Sequence, residues 1–314
     1  MTNSSVSVVV ETITSREGPA PPSLADALAG TLNALADQSD RPAKIETIVV
    51  VDQTVDATSV EELQRRFPVV RIVSSSERNY FDAKNAGTAA ATGEIVVLLD
   101  GDTVPRRDWL EAILSRFDPK VDVVAGRTRY SGRSLLARTC SVPDFANVLE
   151  EDGGMAGGFN LNNVAFRSAV LQANPLDARI RRNGGCYLLY KQLRAAGVSV
   201  VYEPRACVDH GFEGVVGFIK KQFDRGFDGV SVYRLDDRAA LRGTRVFQRF
   251  GALAIAPLTV RRLAVDWVRL VKYRRQIGIS GFAFPYYAAV MAGARLIQAV
   301  GAFTAVVDPG RFRR

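Results

Sequence analysis

The stretch IETIVVVD, Ile45 to Asp52, is an almost unbroken run of β-branched residues that stops on a carboxylate. A strand this apolar must be covered on both faces, because a half-exposed strand would alternate with polar residues. The flanking sequence supplies the two layers. VSVVV (6–10) is followed by a Pro-rich loop and by LADALAGTLNALADQ, in which Leu24, Leu28, Leu32 and Leu35 share one helical face. After Asp52 come VEELQRRF, VVRIVSS, a helical AKNAGTAAAT and EIVVLLDGD. Strand, helix, strand, helix, strand calls for parallel strands joined by crossover helices. The expected fold class is therefore α/β, a mostly parallel, Rossmann-like sheet flanked by helices, with ligands beyond the carboxyl ends of its strands.

Composition narrows the class further. With 314 residues, 47% of them hydrophobic, the chain can bury one large core plus an appendage. Cys140, Cys186 and Cys207 are odd in number and widely spaced, which fits neither a disulfide framework nor a zinc pattern. The opening MTNSSVSVVVE has no basic leader and reads as a first strand rather than a signal peptide. Charge is distributed unevenly. From Arg238 onward there are fourteen Lys/Arg against two acids, +12, which leaves −4 for residues 1–237 of a chain that totals +8. A basic tail on a mildly acidic body points to an anionic surface as partner.

Two strands end in acids: Asp52 closes one, and Asp100 with Asp102 closes another. A single such Asp is an ordinary turn or cap residue, but two at one sheet edge favour ligand chemistry. In Asp100-Gly101-Asp102 the glycine permits close backbone approach, so both carboxylates can turn toward one hard cation, Mg²⁺ or Mn²⁺, bridging a diphosphate.

With these motifs in their order, the chain from about Ser7 to about Arg225 resembles the family 2 glycosyltransferases, which have the GT-A fold and use nucleotide-activated sugars. VVVETIT resembles the first strand and its nucleoside-contacting turn, which implies Thr12 as a donor contact. In IVVVDQTVDATS, Asp52 stands where the family's acid reads the nucleobase. DAKNAGTAAATGEIVVLLDGD resembles the Arg-Asn-Ala-Gly helix and the D-x-D strand, with Lys84 in place of the arginine and Asn85 beside it. GGFNLNNVAFRSAV resembles the acceptor-side strand and implies Asn162 and Asn163 there. LRAAGVSVVYEPRACVDH resembles the closing helix, strand and metal-site histidine. The resemblance implies Asp102 and His210 as metal ligands, Asp100 on the ribose or a metal-bound water, and a UDP- or GDP-sugar as donor. Imidazole would need a partner for its other nitrogen, and Asp209 is adjacent in sequence.

One element of the resemblance is missing. Members that invert the anomeric centre carry Glu-Asp-x-Asp-Leu before the closing helix. Registering on LRAAG places Gly185 and Cys186 at the acidic pair and Leu188 at the second acid, and no acid occurs in 183–190. A hydroxyl acceptor needs its proton removed as it attacks, help worth ~10² to 10⁴ in rate. Four readings stay open: Cys186 as a thiolate; Glu151 or Asp152 reaching in; a retaining reaction in which the leaving diphosphate takes the proton; and loss of catalysis with sugar-nucleotide binding kept.

After His210, Gln222, Arg225 and Gly226 resemble the Gln-x-x-Arg-Trp element of polysaccharide synthases, with glycine in place of tryptophan, which implies acceptor-side roles for Gln222 and Arg225. Lys220, Lys221 and Arg225 read equally well as an exposed helix face. Beyond Phe247, apolar stretches are interrupted by arginines, and Ile279–Val307 holds a single charge, Arg295. A spanning helix would carry Arg295 near the bilayer centre at ~2.5 to 3.5 kcal/mol, whereas interfacial helices avoid that cost. Nucleic acid is disfavoured, because the arginines alternate with aliphatic runs rather than stacking residues.

The sequence thus predicts a glycosyltransferase domain over 1–237 and a basic, apolar, membrane-associating helical region over 238–314. The expected activity is metal-assisted transfer from a nucleoside-diphosphate sugar to a glycan or lipid-linked acceptor, at the inner face of the membrane and serving polysaccharide biosynthesis. The alternative is a non-catalytic nucleotide-sugar-binding partner in a glycan-synthesis complex. A nucleotidyltransferase would need a Gly-rich phosphate loop with a lysine, which ETITSREGPAPPS does not supply.

Overall fold

A computed structural model describes residues 5–16, 23–38, 45–76, 78–132, 134–151 and 154–311. Its strands are β1 (Val6–Glu11), β2 (Ile45–Asp52), β3 (Arg71–Ser75), β4 (Ile95–Asp100), β5 (Thr103–Pro105), β6 (Val123–Tyr130), β7 (Asn163–Arg167) and β8 (Val200–His210). The helices are α1 (Leu24–Ala36), α2 (Ala57–Arg66), α3 (Tyr80–Ala90), α4 (Trp109–Leu114), α5 (Leu135–Phe145), α6 (Ser168–Ala173), α7 (Gly185–Ala195), α8 (Gly214–Leu235), α9 (Thr244–Phe250), α10 (Ile255–Lys272), α11 (Arg274–Ile277) and α12 (Phe284–Val307).

The strands form one eight-stranded sheet in the order β3-β2-β1-β4-β7-β6-β8-β5. The β3-β2-β1-β4 half is parallel, as the alternating pattern requires. β7 runs antiparallel to both β4 and β6, and β5 antiparallel to β8. Period-two alternation decides which core each residue joins. Val9, Val96 and Leu98 face the α7 and α8 side, while Val8, Val10, Val97 and Leu99 face α1 and α4. Helix starts are set by local caps: Ser23 accepts from Asp26 N, Asp56 from Ser59 N, and Asn79 from Phe81 N and Asp82 N.

The C-terminal helices pack onto the sheet domain. α12 buries Tyr287, Met291, Ala294, Gln298, Gly301 and Ala305, a stripe at alternating four- and three-residue spacing. Polar contacts link that stripe to the domain: Gln298 Nε2 donates to Gln222 Oε1 of α8 at 2.7 Å, and Arg295 Nε donates to Asp266 of α10 at 2.5 Å. Arg295 is thus paired inside the protein. The segment Gly281–Val307 is nonetheless long and apolar enough to cross a membrane by length and composition.

Candidate active site

Register builds the site. Thr103 pairs with His210 across β5 and β8, so Asp102, one residue earlier, lies against the imidazole. His210 Nε2 is 3.2 Å from Asp102 Oδ2. The other ring nitrogen, Nδ1, is 2.8 Å from Gly211 O, which can only accept, so Nδ1 carries the proton and Nε2 presents a lone pair to the carboxylate. Burial, then Lys221, holds the imidazole down at about 4, while burial, then Asp100, lifts Asp102 to about 7. Two electron-rich groups therefore face each other with room for one cation between them, a proton or a metal ion. Asp102 Oδ1 is buried with no hydrogen-bond partner.

Gly101 is needed for this approach. A Cβ there would stand 2.6 Å from Glu11 O and 2.7 Å from Leu28. Asp100 accepts from Tyr80 Oη and pairs with Lys84 Nζ, each at 2.8 Å, and Tyr80 and Lys84 are one turn apart on α3. Lys84 is fully buried, donates also to Leu99 O, and lies 5.0 Å from the Tyr80 ring centroid. Glu11, paired with Asp100 in the sheet, accepts from Ile13 N and Thr14 N, and burial followed by Asp100 raises it to about 7.

The opposite wall is cationic. Lys221 Nζ donates to Tyr130 Oη at 3.1 Å and lies 5.3 Å from the ring, and burial lowers its affinity for its proton. Asp144 of α5 accepts from Arg225 and Gln222, each at 2.5 Å, and from Tyr130. The rings of Tyr130 and Phe145 lie 5.6 and 5.8 Å from the imidazole of His210. Those two residues also line a cavity of about 750 Å³ that extends between β6, α5 and the start of α12.

The description "Glycosyl transferase family 2" matches residues 20–160 as a sequence profile. Glycosyltransferase AglE of Haloferax volcanii is 26% identical over 224 residues, 69% of this chain and 72% of that protein. Pre-mycofactocin glycosyltransferase of Mycobacterium tuberculosis is 27% identical over 207 residues, which span 58% of this chain and 44% of its own length. Among solved structures, mannosyltransferase PcManGT of Pyrobaculum calidifontis, in complex with GDP-Man and Mn²⁺, superposes at a TM-score of 0.62 and 17% identity over 95% of this chain and 87% of its own. Residues 20–160 thus match the family 2 glycosyltransferases, and the fold is of the GT-A type.

In this glycosyltransferase the residues expected from sequence divide into two groups. Asp100, Asp102, His210 and Lys84 are brought together, as are Gln222 and Arg225 on Asp144. Thr12 and Asp52 lie at the same strand ends: Thr12 Oγ1 donates to Val50 O, and Asp52 accepts from Thr54 N at 2.9 Å. Others are engaged elsewhere. Asn85 exchanges two hydrogen bonds with the backbone of Leu176, and Asn163 is held by Trp109, Arg127 and Ala206. Asn162 accepts from Thr128 Oγ1. Glu151 faces Arg269 of α10 at 3.6 Å, and Asp152 lies outside the described residues.

The acids absent from α7 have no room to return. A Cβ on Gly185 would already sit 2.6 Å from the edge of the Phe81 ring, and Leu188 is buried in the core. Burial pushes the Cys186 thiol up, against the pull of Arg225, so it is no thiolate at neutral pH. Cys186→Ala is therefore expected to leave turnover within about threefold of the parent; a steady-state assay checks this, and a loss of ~10² would establish the thiol as the base.

Sequence reasoning missed Asn160, Asp144 and Glu11. The β4–β7 register pairs Leu99 with Asn163, so Asn160 runs past the same sheet edge as Asp102, and its Nδ2 is buried without a partner. The signal was the motif GGFNLNN itself, read two residues too late. Asn160→Ala should leave the melting temperature within a degree or two, since no internal bond is lost, and should weaken transfer about tenfold, the worth of one ligand hydrogen bond; paired melting and turnover measurements check both halves.

Proposed function

We propose that this family 2 glycosyltransferase moves a sugar from a UDP- or GDP-sugar to a glycan or lipid-linked acceptor, with Asp102 and His210 holding Mg²⁺ or Mn²⁺. The observation that carries the reading is the facing pair of Asp102 and the Nε2 lone pair, with an orphaned carboxylate oxygen beside it. Among the described residues no cluster of three or more His, Cys, Asp or Glu side chains forms a cation cage. Two protein ligands suffice for a hard cation that takes its remaining oxygens from a diphosphate and water. When bound, such an ion neutralises charge developing on the leaving diphosphate. The complexed Mn²⁺ and GDP-Man of PcManGT are in keeping with this chemistry.

The chain's own residues would divide the rest of the work. Lys84 and Tyr80 fix the Asp100 carboxylate toward the ribose or a metal-bound water, Asp52 and Thr12 border the nucleoside, and Lys221 with Arg225 adds positive charge on the phosphate side. The decisive experiment is donor hydrolysis by purified protein. Metal-dependent release of nucleoside diphosphate that stops in Asp102→Ala supports the enzyme; saturable nucleotide-sugar binding with no turnover supports the non-catalytic binder.

We also propose peripheral attachment to the inner face of an anionic membrane through residues 238–314. The turn before α10, α10 itself and the turn before α12 expose Leu253, Val268 and a fully exposed Phe282, respectively, among arginines, a combination that suits insertion at the headgroup level. Co-sedimentation with vesicles containing phosphatidylserine should fall several-fold in Phe282→Ser and in high salt, each basic side chain near the surface contributing ~1 kcal/mol; binding that ignores both changes would point to a spanning anchor.

A further inference from the structure

An unbroken line of hydrogen bonds runs from the C-terminal helices to the imidazole of His210. Arg295 Nε donates to Asp266 Oδ2 of α10 at 2.5 Å, and Arg295 Nη1 donates to Gln298 Oε1 at 2.6 Å. Gln298 Nε2 donates to Gln222 Oε1 at 2.7 Å, and Gln222 Nε2 to Asp144 Oδ1 at 2.5 Å. The second oxygen of Asp144 accepts from Tyr130 Oη, which in turn accepts from Lys221 Nζ at 3.1 Å. The Tyr130 ring stands edge-on to His210, with 5.6 Å between centroids and 89° between planes.

The line can run in one sense only. A guanidinium offers donors alone and a carboxylate acceptors alone. With Arg295 at one end, Gln298 must turn its oxygen to the guanidinium and its N–H to Gln222. With Asp144 at the other, Gln222 must do likewise, and reversing either amide sets two donors or two acceptors face to face. The middle links are dry: Gln222 is 0%, Asp144 3% and Gln298 7% exposed. A lost partner is therefore not replaced by bulk water, and aligned dipoles in a low dielectric strengthen one another. Docking α12 does not require these polar links, since Tyr287, Met291, Ala294 and Ala305 already supply an apolar stripe. What the line adds is a fixed place for the Asp144 carboxylate, whose Oδ1 also takes Arg225 at 2.5 Å.

We propose that Gln298 is a positioning residue of the active site: through Gln222 and Asp144 it sets where Tyr130 holds Lys221 and packs on His210. The C-terminal helices thus shape the site as well as carrying the attachment surface. The effect on turnover rests on the reading that His210 and Lys221 border the donor diphosphate, whereas the placement of the imidazole is independent of it.

His210 is the only histidine of the chain, so protein labelled with ¹³C-histidine gives a single imidazole signal, displaced by the ring currents of Tyr130 and Phe145. In the full chain without metal, Gln298→Met keeps the length and apolar packing of the side chain but deletes the amide, and should move that signal by more than its linewidth. Val306→Ala trims a partly buried contact about two turns further along α12 and should leave it in place. In donor hydrolysis with Mn²⁺ and a UDP- or GDP-sugar, Gln298→Met should lose about tenfold in kcat, the low end of what residues supporting a metal ligand contribute, with KM for the donor nearly unchanged. Tyr130→Phe cuts the line at its last hydroxyl, so adding Gln298→Met to it should cost little more. A signal that stays put in Gln298→Met, or moves as far in Val306→Ala, overturns the assignment. So does a kcat equal to the parent's, or losses that multiply in the double variant. A parent with no donor hydrolysis overturns the donor chemistry instead, and the imidazole signal still decides whether Gln298 acts on the site.

Discussion

Asp102→Asn is expected to abolish transfer while making the metal-free protein more heat-stable at pH 8. Losing the carboxylate removes the main anionic ligand of the proposed cation. Electrophilic stabilisation of this kind contributes several kcal/mol, so a fall of roughly 10² to 10⁴ in kcat/KM follows. The stability gain comes from the same pair. Burial and Asp100 lift the folded-state pKa of Asp102 from 3.8 to about 7. Between those values the unfolded chain has released a proton that the folded chain still holds, so stability declines as pH rises through the interval and is lowest above it. Asparagine removes the ionisation, and its N–H can donate to the His210 Nε2 lone pair that now faces a carboxylate at 3.2 Å. The variant should therefore melt several degrees above the parent at pH 8 without metal, with the gap closing toward pH 4. Mn²⁺ should raise the parent's melting temperature and leave the variant's unchanged, because only a ligand of the folded state shifts it. An Asp102→Asn protein that retains turnover, or that melts lower than the parent at pH 8, would remove the basis for a shared cation at this pair.

Much of this arrangement is legible in the sequence, and the legible parts have a common cause. Strands buried on both faces announce themselves as β-branched runs, and acids at their carboxyl ends can only meet the ligand edge, which is why Asp52, Asp100 and Asp102 are readable directly. The proximity of His210 to Asp102 follows from the resemblance and not from spacing, since it depends on β5 pairing with β8 in one register. Side-chain allegiance is harder to read. Asn85, Asn162 and Asn163 look like ligand contacts in sequence, yet each is taken up by protein partners, while Asn160 is left with an unpartnered amide. Asp144 carries no sequence signal at all. It sits beside a proline within a helix, and its importance appears only when α8 brings Gln222 and Arg225 onto it. Similarly, Arg225 fits both a motif and an exposed face shared with Lys220 and Lys221, and packing against α5 draws it inward onto Asp144 while Lys220 stays exposed.

Gly226→Ala is expected to undock α12, and Gly229→Ala, three residues along the same helix, is not. A Cβ at Gly226 would stand 1.9 Å from the carbonyl oxygen of Gln298, and one at Gly301 of α12 would stand 2.1 Å from Phe223 O, so α8 and α12 touch backbone to backbone. This contact also explains why glycine occupies the place of a tryptophan, for which no space exists against α12. A backbone carbonyl inside a helix cannot step aside as a side-chain tip could. Overpacking of this kind costs about 1–3 kcal/mol, a loss on the order of 2–5 °C for a chain of this size. Separation also breaks the Gln222–Gln298 bond and pulls α12 away from Asp144's partner. At Gly229 a Cβ meets nothing within 4 Å, so alanine there should be neutral or gain up to about 1 kcal/mol from its better helix propensity. Thermal unfolding of the two variants separates the readings of the C-terminal region. A large drop confined to Gly226→Ala means that α12 is part of the folded domain, its outer face left for the membrane surface; equal tolerance at both sites means that α12 is free of α8 and available to span a bilayer.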